Sequence, residues 1–125
     1  MTAYLEQLTI YVGESDVWHG ESLYLALTIE ARKLGIAGAT VTRGVAGYGK
    51  RKHHQIATAR MFELSSDLPM LVTVIDTAEA IAAFLPRVKE MVTGGIVIQE
   101  TVAVVHHAPT SAENSKNDGI TQDYN

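Results

Sequence analysis

The 125-residue sequence contains no cysteine, which excludes a disulfide framework as a source of stability. No run of apolar residues approaches the roughly 20 that a transmembrane helix requires. The first 13 residues also lack the basic start and the long apolar core of a signal peptide. We therefore expect a cytoplasmic protein that does not insert into a membrane.

An excess of positive charge is also missing. The chain has 10 Lys and Arg against 14 Asp and Glu, a formal net charge of −4. Its basic residues cluster locally at 50–54, whereas nucleic-acid binders carry an extended basic surface, so we expect no nucleic-acid partner. The hydrophobic content of 46% suits one globular domain, which we place at residues 1–108. The polar stretch 109–125 is expected to be a disordered tail.

Hydrophobic periodicity in the first half of the chain predicts two strands around a helix. Alternation of apolar and polar residues predicts a strand over 4–12, and apolar residues spaced by three and four predict a helix over 21–34. Gly35 is a typical helix stop. A second strand over 40–45 is followed by a predicted loop at about 47–58.

The second half of the chain is predicted to contain further strands around a second helix. Extended segments are predicted at 59–64 and 70–75, with turn residues at 65–67 between them, as two strands or one interrupted strand. Asp76 or Thr77 can cap the next helix, and Pro86 inside it is expected to kink or split it. Gly94 and Gly95 close this helix, and a last strand is predicted over 96–105. The stripe that should face the core consists of Ile81, Phe84, Leu85, Val88, Met91 and Val92.

The predicted order β-α-β-β-α-β indicates an α+β protein of the ferredoxin-like type, with both helices on one face of an antiparallel sheet. The other face of the sheet is then left without a layer of helices. In the last strand both alternating sets of side chains are largely apolar. Self-association is the simplest way to cover the open face.

The end of the second strand is the most distinctive stretch. Gly47 and Gly49 form a hinge that lets backbone amides approach a ligand. The basic residues at 50–52 follow at once and supply charge for a phosphate or carboxylate group. Strand, hinge and charge together favour a loop that binds an anion or a partner.

This arrangement resembles the PII-like superfamily over about residues 4–106, and in particular the bacterial group known as domain of unknown function 190. PII proteins carry T-V-T-x-x-x-G-F-G-R-Q-K where their second strand ends. The stretches 40–42 and 47–52 are similar, with one extra residue between them. The stretches 58–60, 67–69 and 83–86 look more like the bacterial group than like true PII.

The resemblance implies a non-enzymatic signalling protein that forms a homotrimer with ligand clefts between subunits. It also implies a mobile T-loop, here about 47–58, that docks on a transporter or an enzyme. Arg60 follows this loop and could either face the cleft or pair with a carboxylate. The residues that match ligand-contacting positions of the superfamily, or lie beside them, are Thr42, Gly44, Gly47, Tyr48, Gly49, Lys50, Arg51, Arg60, Gly94 and Gly95.

The phosphate side of this cleft departs from true PII in two ways, which bear on the ligand. The glycine-rich loop of PII, with its phosphate-binding lysine, is shortened here to residues 93–97. A downstream pair of arginines that PII uses on phosphate is also missing, and His106 and His107 lie near where the chain leaves the sheet. AMP, ADP, cyclic AMP or another small anion therefore fits the remaining charges better than ATP, and no cofactor is required.

One other interpretation remains beside this one. The pairs His53–His54 and His106–His107 could bind a transition metal in a trimeric adaptor that resembles the CutA family, although adjacent histidines in a strand point to opposite faces. An enzyme is not indicated, because Asp67 and Glu100 form no evident acid–base pair and the serines at 65–66 lack a nucleophile context.

Overall fold

The computed structural model describes residues 3–48 and 67–108. Six strands and two helices follow one another along these parts of the chain. The strands are β1 (Ala3–Gly13), β2 (Val17–Trp18), β3 (Glu21–Ser22), β4 (Gly38–Arg43), β5 (Pro69–Asp76) and β6 (Ile96–Val104), and the helices are α1 (Leu23–Lys33) and α2 (Ala78–Met91).

The four long strands form one antiparallel sheet in the order β4-β5-β1-β6. The two central strands are thus the first and third of the predicted βαββαβ set, which is the ferredoxin-like arrangement. The predicted α+β fold class is confirmed. Beyond the prediction, β2 and β3 form a small separate hairpin between β1 and α1.

The hydrophobic core lies between one face of the sheet and the two helices. In β1 and β5 the large apolar residues at alternate positions are buried, which is the period of a strand with one face on a core. The predicted stripe of α2 is confirmed, with Leu85 and Val92 half-buried at its margins. The fully buried side chains of the core include Leu8, Ile10, Val72, Val74, Leu27, Ile81, Phe84 and Val88.

Helix α1 begins two residues later than predicted, because residues 21–22 belong to the β2–β3 hairpin. The backbone amide of Leu23 donates to the Asp16 carbonyl over 2.8 Å, so the first turn of α1 is fixed to the chain before the hairpin. Leu34, counted in the predicted apolar face, is 51% exposed and lies beyond the helix. The prediction began the helix too early because it did not include the β2–β3 hairpin.

The C-terminus of α1 ends as the sequence predicts. Gly35 has φ +81°, a left-handed conformation that glycine adopts without strain. Its amide donates to the Arg32 carbonyl over 3.0 Å, and the Ile36 amide donates to the Ala31 carbonyl over 3.0 Å. These two bonds form a Schellman motif, which satisfies carbonyls that the helix leaves open.

Helix α2 is continuous through Pro86, so the predicted split into two helices is wrong. Proline leaves the carbonyl four residues earlier, that of Ala82, without its helical donor. Both residues are exposed, and water can satisfy that carbonyl where a buried one would remain unpaired. Thr77 caps the helix as predicted, since its side chain accepts a hydrogen bond from the Ala80 amide over 3.1 Å.

Two strands are shorter than predicted at their C-terminal ends. Strand β4 stops at Arg43, and Val45, which was included in the strand, is 93% exposed. Strand β6 stops at Val104, and Val105 is 91% exposed. In both cases the β-branched residue lies beyond the last paired position, where β propensity alone does not extend the ladder. Among the described residues, no helix is long and apolar enough to cross a membrane.

Candidate functional site at one end of the sheet

The fold brings two separate groups of predicted ligand residues to the same end of the sheet. Strand β4 ends where β5 begins, and β1 ends where β6 begins, because neighbouring strands are antiparallel. Thr42 and Gly44 therefore lie at the same sheet end as Gly94 and Gly95, although about fifty residues separate them in sequence. We define this end as the candidate site.

Gly44 is held closely against the start of β5. Its amide donates to the Pro69 carbonyl over 2.8 Å, and a Cβ atom built on Gly44 would lie 2.7 Å from Pro69 Cγ. A side chain at this position would have to displace the proline ring. Gly47 also approaches the ring, with a built Cβ 3.3 Å from Pro69 Cγ, whereas Tyr48 is 93% exposed. The glycines thus have a packing role in addition to the predicted ligand role.

Gly95 has a still closer neighbour. A Cβ atom built on this residue would lie 2.1 Å from the Tyr11 carbonyl oxygen, a distance that no side chain tolerates. Gly94 has open space within 4 Å of its built Cβ. The close approach lets the chain turn from α2 into β6 directly over the end of β1.

The two glycine groups are not adjacent in one subunit. Thr42 pairs with Leu71, Leu71 with Tyr11, and Tyr11 with Ile96, so three strand spacings separate β4 from β6. At about 4.8 Å per spacing this is roughly 14 Å. A single phosphate group cannot contact both groups in one chain. The candidate site of one chain therefore consists of two separate groups.

The open face of the sheet lies beside the candidate site and is mostly apolar. The strand register places Thr42, Leu71, Tyr11 and Ile96 in one row across it. Large apolar side chains remain exposed there, including Ile96 at 58%, Ile98 at 40% and Tyr11 at 37%. Glu100 is the single carboxylate on this face among the described residues.

A group of polar residues around the turn after β1 was not predicted from the sequence. Glu14 forms an ion pair with Arg43 at the end of β4. The amide of Ser15 donates to Asp67 Oδ1 over 3.0 Å, and its hydroxyl donates to the same oxygen over 2.8 Å. The run Glu14-Ser15-Asp16 directly after a strand is visible in the sequence. The run does not indicate which residues, about 30 and 50 positions away, form its contacts.

Another electrostatic group lies on the helical side of the sheet and joins α1 to α2. Arg87 donates through Nε to Glu30 Oε1 over 3.3 Å and through Nη1 to Glu90 Oε1 over 2.8 Å. The hydrogen bond from Arg87 lowers the pKa of Glu30 below its ordinary value of 4.5. The bonds to Glu90 and then Glu30 raise the pKa of Arg87.

Trp18 completes that group as a packing residue. Its ring lies under the Arg87 guanidinium, with Cζ 5.5 Å from the ring centroid, and stacks on His19 with centroids 4.3 Å apart. It also packs against the hydrophobic core.

Several predicted site residues lie outside the described residues, namely Gly49, Lys50, Arg51, His53, His54 and Arg60. His106 and His107 follow the end of β6, so a nine-residue strand, roughly 30 Å long, separates them from Gly95. Within 3–48 and 67–108, no group of three or more metal-ligating side chains comes together. The metal hypothesis, which also involves residues 53–54, stays a prediction.

Comparison with known proteins agrees with this fold. A family model described as DUF190, Uncharacterized ACR, COG1993 matches residues 5–104. The chain belongs to the DUF190 family. This DUF190 protein is 37% identical over 99 residues to a UPF0166 protein of Aquifex aeolicus (strain VF5), covering 79% of this chain and 91% of the relative. It is 36% identical over 92 residues to the UPF0166 protein MJ1524 of Methanocaldococcus jannaschii, covering 73% and 82%.

Solved structures share the fold of this DUF190 protein at lower sequence identity. The structure of CPII from Thiomonas intermedia K12 bound to ADP, AMP and acetate matches with a TM-score of 0.58 and 16% identity, over 85% of this chain and 93% of that chain. TTHA0516 from Thermus thermophilus, described as a PII-like signaling protein, matches with a TM-score of 0.57 and 23% identity, over 83% and 92%. The predicted family and fold are thereby confirmed.

Proposed function

We propose that this DUF190 protein is a PII-like regulatory protein that binds an adenine nucleotide between the subunits of a homotrimer. The single observation that carries the proposal is the placement of Thr42 and Gly44 at the same sheet end as Gly94 and Gly95, roughly 14 Å apart. Two half-sites at that distance suit a cleft in which each subunit supplies one half of a shared site.

The nature of the ligand follows from charge and from the fold relatives. Structures of CPII contain ADP and AMP, and CPII shares the fold of this chain at 16% identity. Lys50 and Arg51 follow the half-site at Gly44 and would supply positive charge to a phosphate. The loop at 93–97 contains no lysine, which favours AMP, ADP or cyclic AMP over the more highly charged ATP.

The proposed function also gives a role to each of the other parts of the chain. Residues 1–108 form the regulatory domain, 47–58 correspond to the T-loop, and 109–125 form a tail outside the domain. A nucleotide at the base of the T-loop would change the population of loop conformations, and so change which transporter or enzyme the loop can dock on. The protein acts in the cytoplasm by binding and carries out no chemical step.

Isothermal titration calorimetry of the purified protein with AMP, ADP, ATP and cyclic AMP tests this function. We expect heat of binding for at least one of them, with ATP weaker than AMP or ADP. The double variant Lys50→Ala/Arg51→Ala should bind at least tenfold more weakly, roughly the effect of losing one charge-assisted contact. A matched control, Lys33→Ala/Lys89→Ala, removes two exposed helical lysines and should bind like the wild type. Equal binding by all three proteins would remove Lys50 and Arg51 from the phosphate role.

A further inference from the structure

The turn after β1 contacts the residues that flank chain segment 44–66, which lies between β4 and β5. On one side the carboxylate of Glu14 pairs with Arg43, the last residue of β4. On the other side Ser15 donates two hydrogen bonds to Asp67 Oδ1, over 3.0 Å from its amide and 2.8 Å from its hydroxyl. Adjacent residues of one turn thus bind opposite ends of the same segment.

The contact with Arg43 crosses an intervening strand. Strand β5 lies between β1 and β4, so Glu14 and Arg43 start two strand spacings apart, about 10 Å. Only long side chains can meet over that distance. The Glu14 amide also donates to the Leu68 carbonyl over 2.8 Å, which fixes the backbone from which the carboxylate extends.

The turn itself is braced and is connected to a helix. Asp16 Oδ2 accepts a hydrogen bond from the Gly13 amide over 2.9 Å, and the Asp16 amide donates to the Gly13 carbonyl over 3.1 Å. The Asp16 carbonyl accepts from the Leu23 amide at the start of α1 over 2.8 Å. A continuous set of hydrogen bonds therefore runs from Asp67 through the turn to α1.

We propose that Glu14 and Ser15, with Arg43 and Asp67, form a clamp that fixes both ends of segment 44–66 to the β1–β2 turn and, through it, to α1. The sheet ends at the pair Arg43 and Met70, and past that pair the Gly44–Pro69 bond is the remaining backbone link between the two ends in the described residues. The clamp adds side-chain contacts where the ladder stops. It is a local device, because exposed ion pairs and hydrogen bonds contribute little to global stability but strongly affect local opening.

Limited proteolysis tests the clamp on the full chain. Trypsin can cleave after Lys50, Arg51 and Lys52, between the two clamped ends, and after Lys33 and Lys89 in the helices. In the double variant Glu14→Gln/Ser15→Ala, cleavage at 50–52 should become roughly fivefold faster, with no change at 33 and 89. Glu90→Gln is the matched control: it removes a carboxylate that also pairs with an arginine but is not one of the four clamp residues, and should cleave like the wild type.

Hydrogen exchange gives a second readout that does not depend on protease access. The amide of Ser15 should exchange roughly fivefold faster in Asp67→Ala, while amides of the β1–β5 ladder keep their wild-type rates. Unchanged cleavage at 50–52 together with unchanged exchange at Ser15 would overturn the clamp. Acceleration at 33 and 89 to the same extent as at 50–52 would also overturn it, because the variant would then unfold globally.

The link to ligand binding rests on the proposed function. If the clamp holds the base of a nucleotide site, Glu14→Gln/Ser15→Ala should bind AMP or ADP about fivefold more weakly than the wild type and than Glu90→Gln. Wild-type protein that binds no nucleotide would refute the proposed function, while the proteolysis and exchange results would still decide the clamp. Nucleotide binding that is unchanged in a variant with faster cleavage would separate the clamp from the site.

Discussion

At the scale of single residues, adjacent Gly94 and Gly95 carry different constraints. A Cβ at Gly95 would lie 2.1 Å from the Tyr11 carbonyl oxygen, whereas a Cβ at Gly94 meets nothing within 4 Å. Gly95→Ala should therefore lower the free energy of unfolding by about 3 kcal/mol, because the backbone of β1 or the α2–β6 turn has to move. Gly94→Ala should change it by less than about 1 kcal/mol.

Urea unfolding of both variants measures this difference. It also separates a structural role of Gly95 from a ligand role, since the two glycines were predicted together as ligand residues. A Gly95→Ala protein as stable as Gly94→Ala would show that the close approach to Tyr11 is not required.

Glu30 is a second case at the scale of single residues, because its ionisation makes the stability of the fold depend on pH. Its pKa is lowered in the folded protein by the hydrogen bond from Arg87, so the carboxylate stabilises the fold above its ordinary pKa of 4.5. This contribution is lost as the pH falls below 4.5 through the lowered value. Glu30→Gln should reduce the melting temperature at pH 7 by about 2 to 4 °C, and the gap to the wild type should narrow towards pH 3.

Melting curves of the wild type and Glu30→Gln between pH 3 and 7 test the sign. Lys89→Gln, which removes an exposed charge in the same helical layer, serves as a control and should show no such convergence. A gap that stays constant down to pH 3 would mean that the variant acts through packing instead of through the charge of Glu30.

At the scale of elements, helix α2 accommodates Pro86 without breaking. The missing amide leaves the Ala82 carbonyl open to water on the exposed face. Pro86→Ala restores the donor and should raise the free energy of unfolding by about 1 to 3 kcal/mol. Chemical denaturation provides the measurement, and a variant less stable than the wild type would show that the proline ring makes packing contacts that outweigh its lost hydrogen bond.

Most elements were predictable because each depends on a local pattern. The alternation in β1, the period of α2 and the stop at Gly35 are all encoded within a few residues. The β2–β3 hairpin was missed because two-residue strands give no periodicity. The clamp was missed because Glu14 and Ser15 find their partners through strand order, which a local pattern does not contain.

Part of the candidate site was also predictable from local patterns. The hinge after β4 and the glycines before β6 are visible in the sequence, but their separation of roughly 14 Å follows only from the order of the strands. The close packing of Gly44 on Pro69 and of Gly95 on Tyr11 likewise requires the tertiary structure. Sequence alone therefore could not show that glycines predicted to contact a ligand are also needed for packing.

At the scale of the whole molecule, the open face of the sheet is the proposed trimer interface. Ile98 lies on this face and is 40% exposed, while Ile29 on α1 is 42% exposed and lies on the helical layer. Ile98→Lys should dissociate the trimer, because it places a charge within an apolar interface. Ile29→Lys, matched in size, charge and exposure, should leave the assembly intact.

Sedimentation equilibrium distinguishes these outcomes. The wild type and Ile29→Lys should have a mass near three times the 13.5 kDa chain, and Ile98→Lys should have a lower mass. A wild-type mass near that of one chain would contradict the trimer, and a trimeric Ile98→Lys would place the interface elsewhere.

The central claim is that an adenine nucleotide binds in a site assembled from two subunits. Calorimetric titration of ADP or AMP into the wild type and into Ile98→Lys tests it most directly. The variant is expected to dissociate, but it keeps all predicted ligand residues, because Ile98 lies two residues beyond the first residue of β6. We expect saturable heat with about one nucleotide per chain for the wild-type trimer and at least tenfold weaker binding for the dissociated variant. No heat with the wild type, or equal affinity in a dissociated Ile98→Lys subunit, would contradict it.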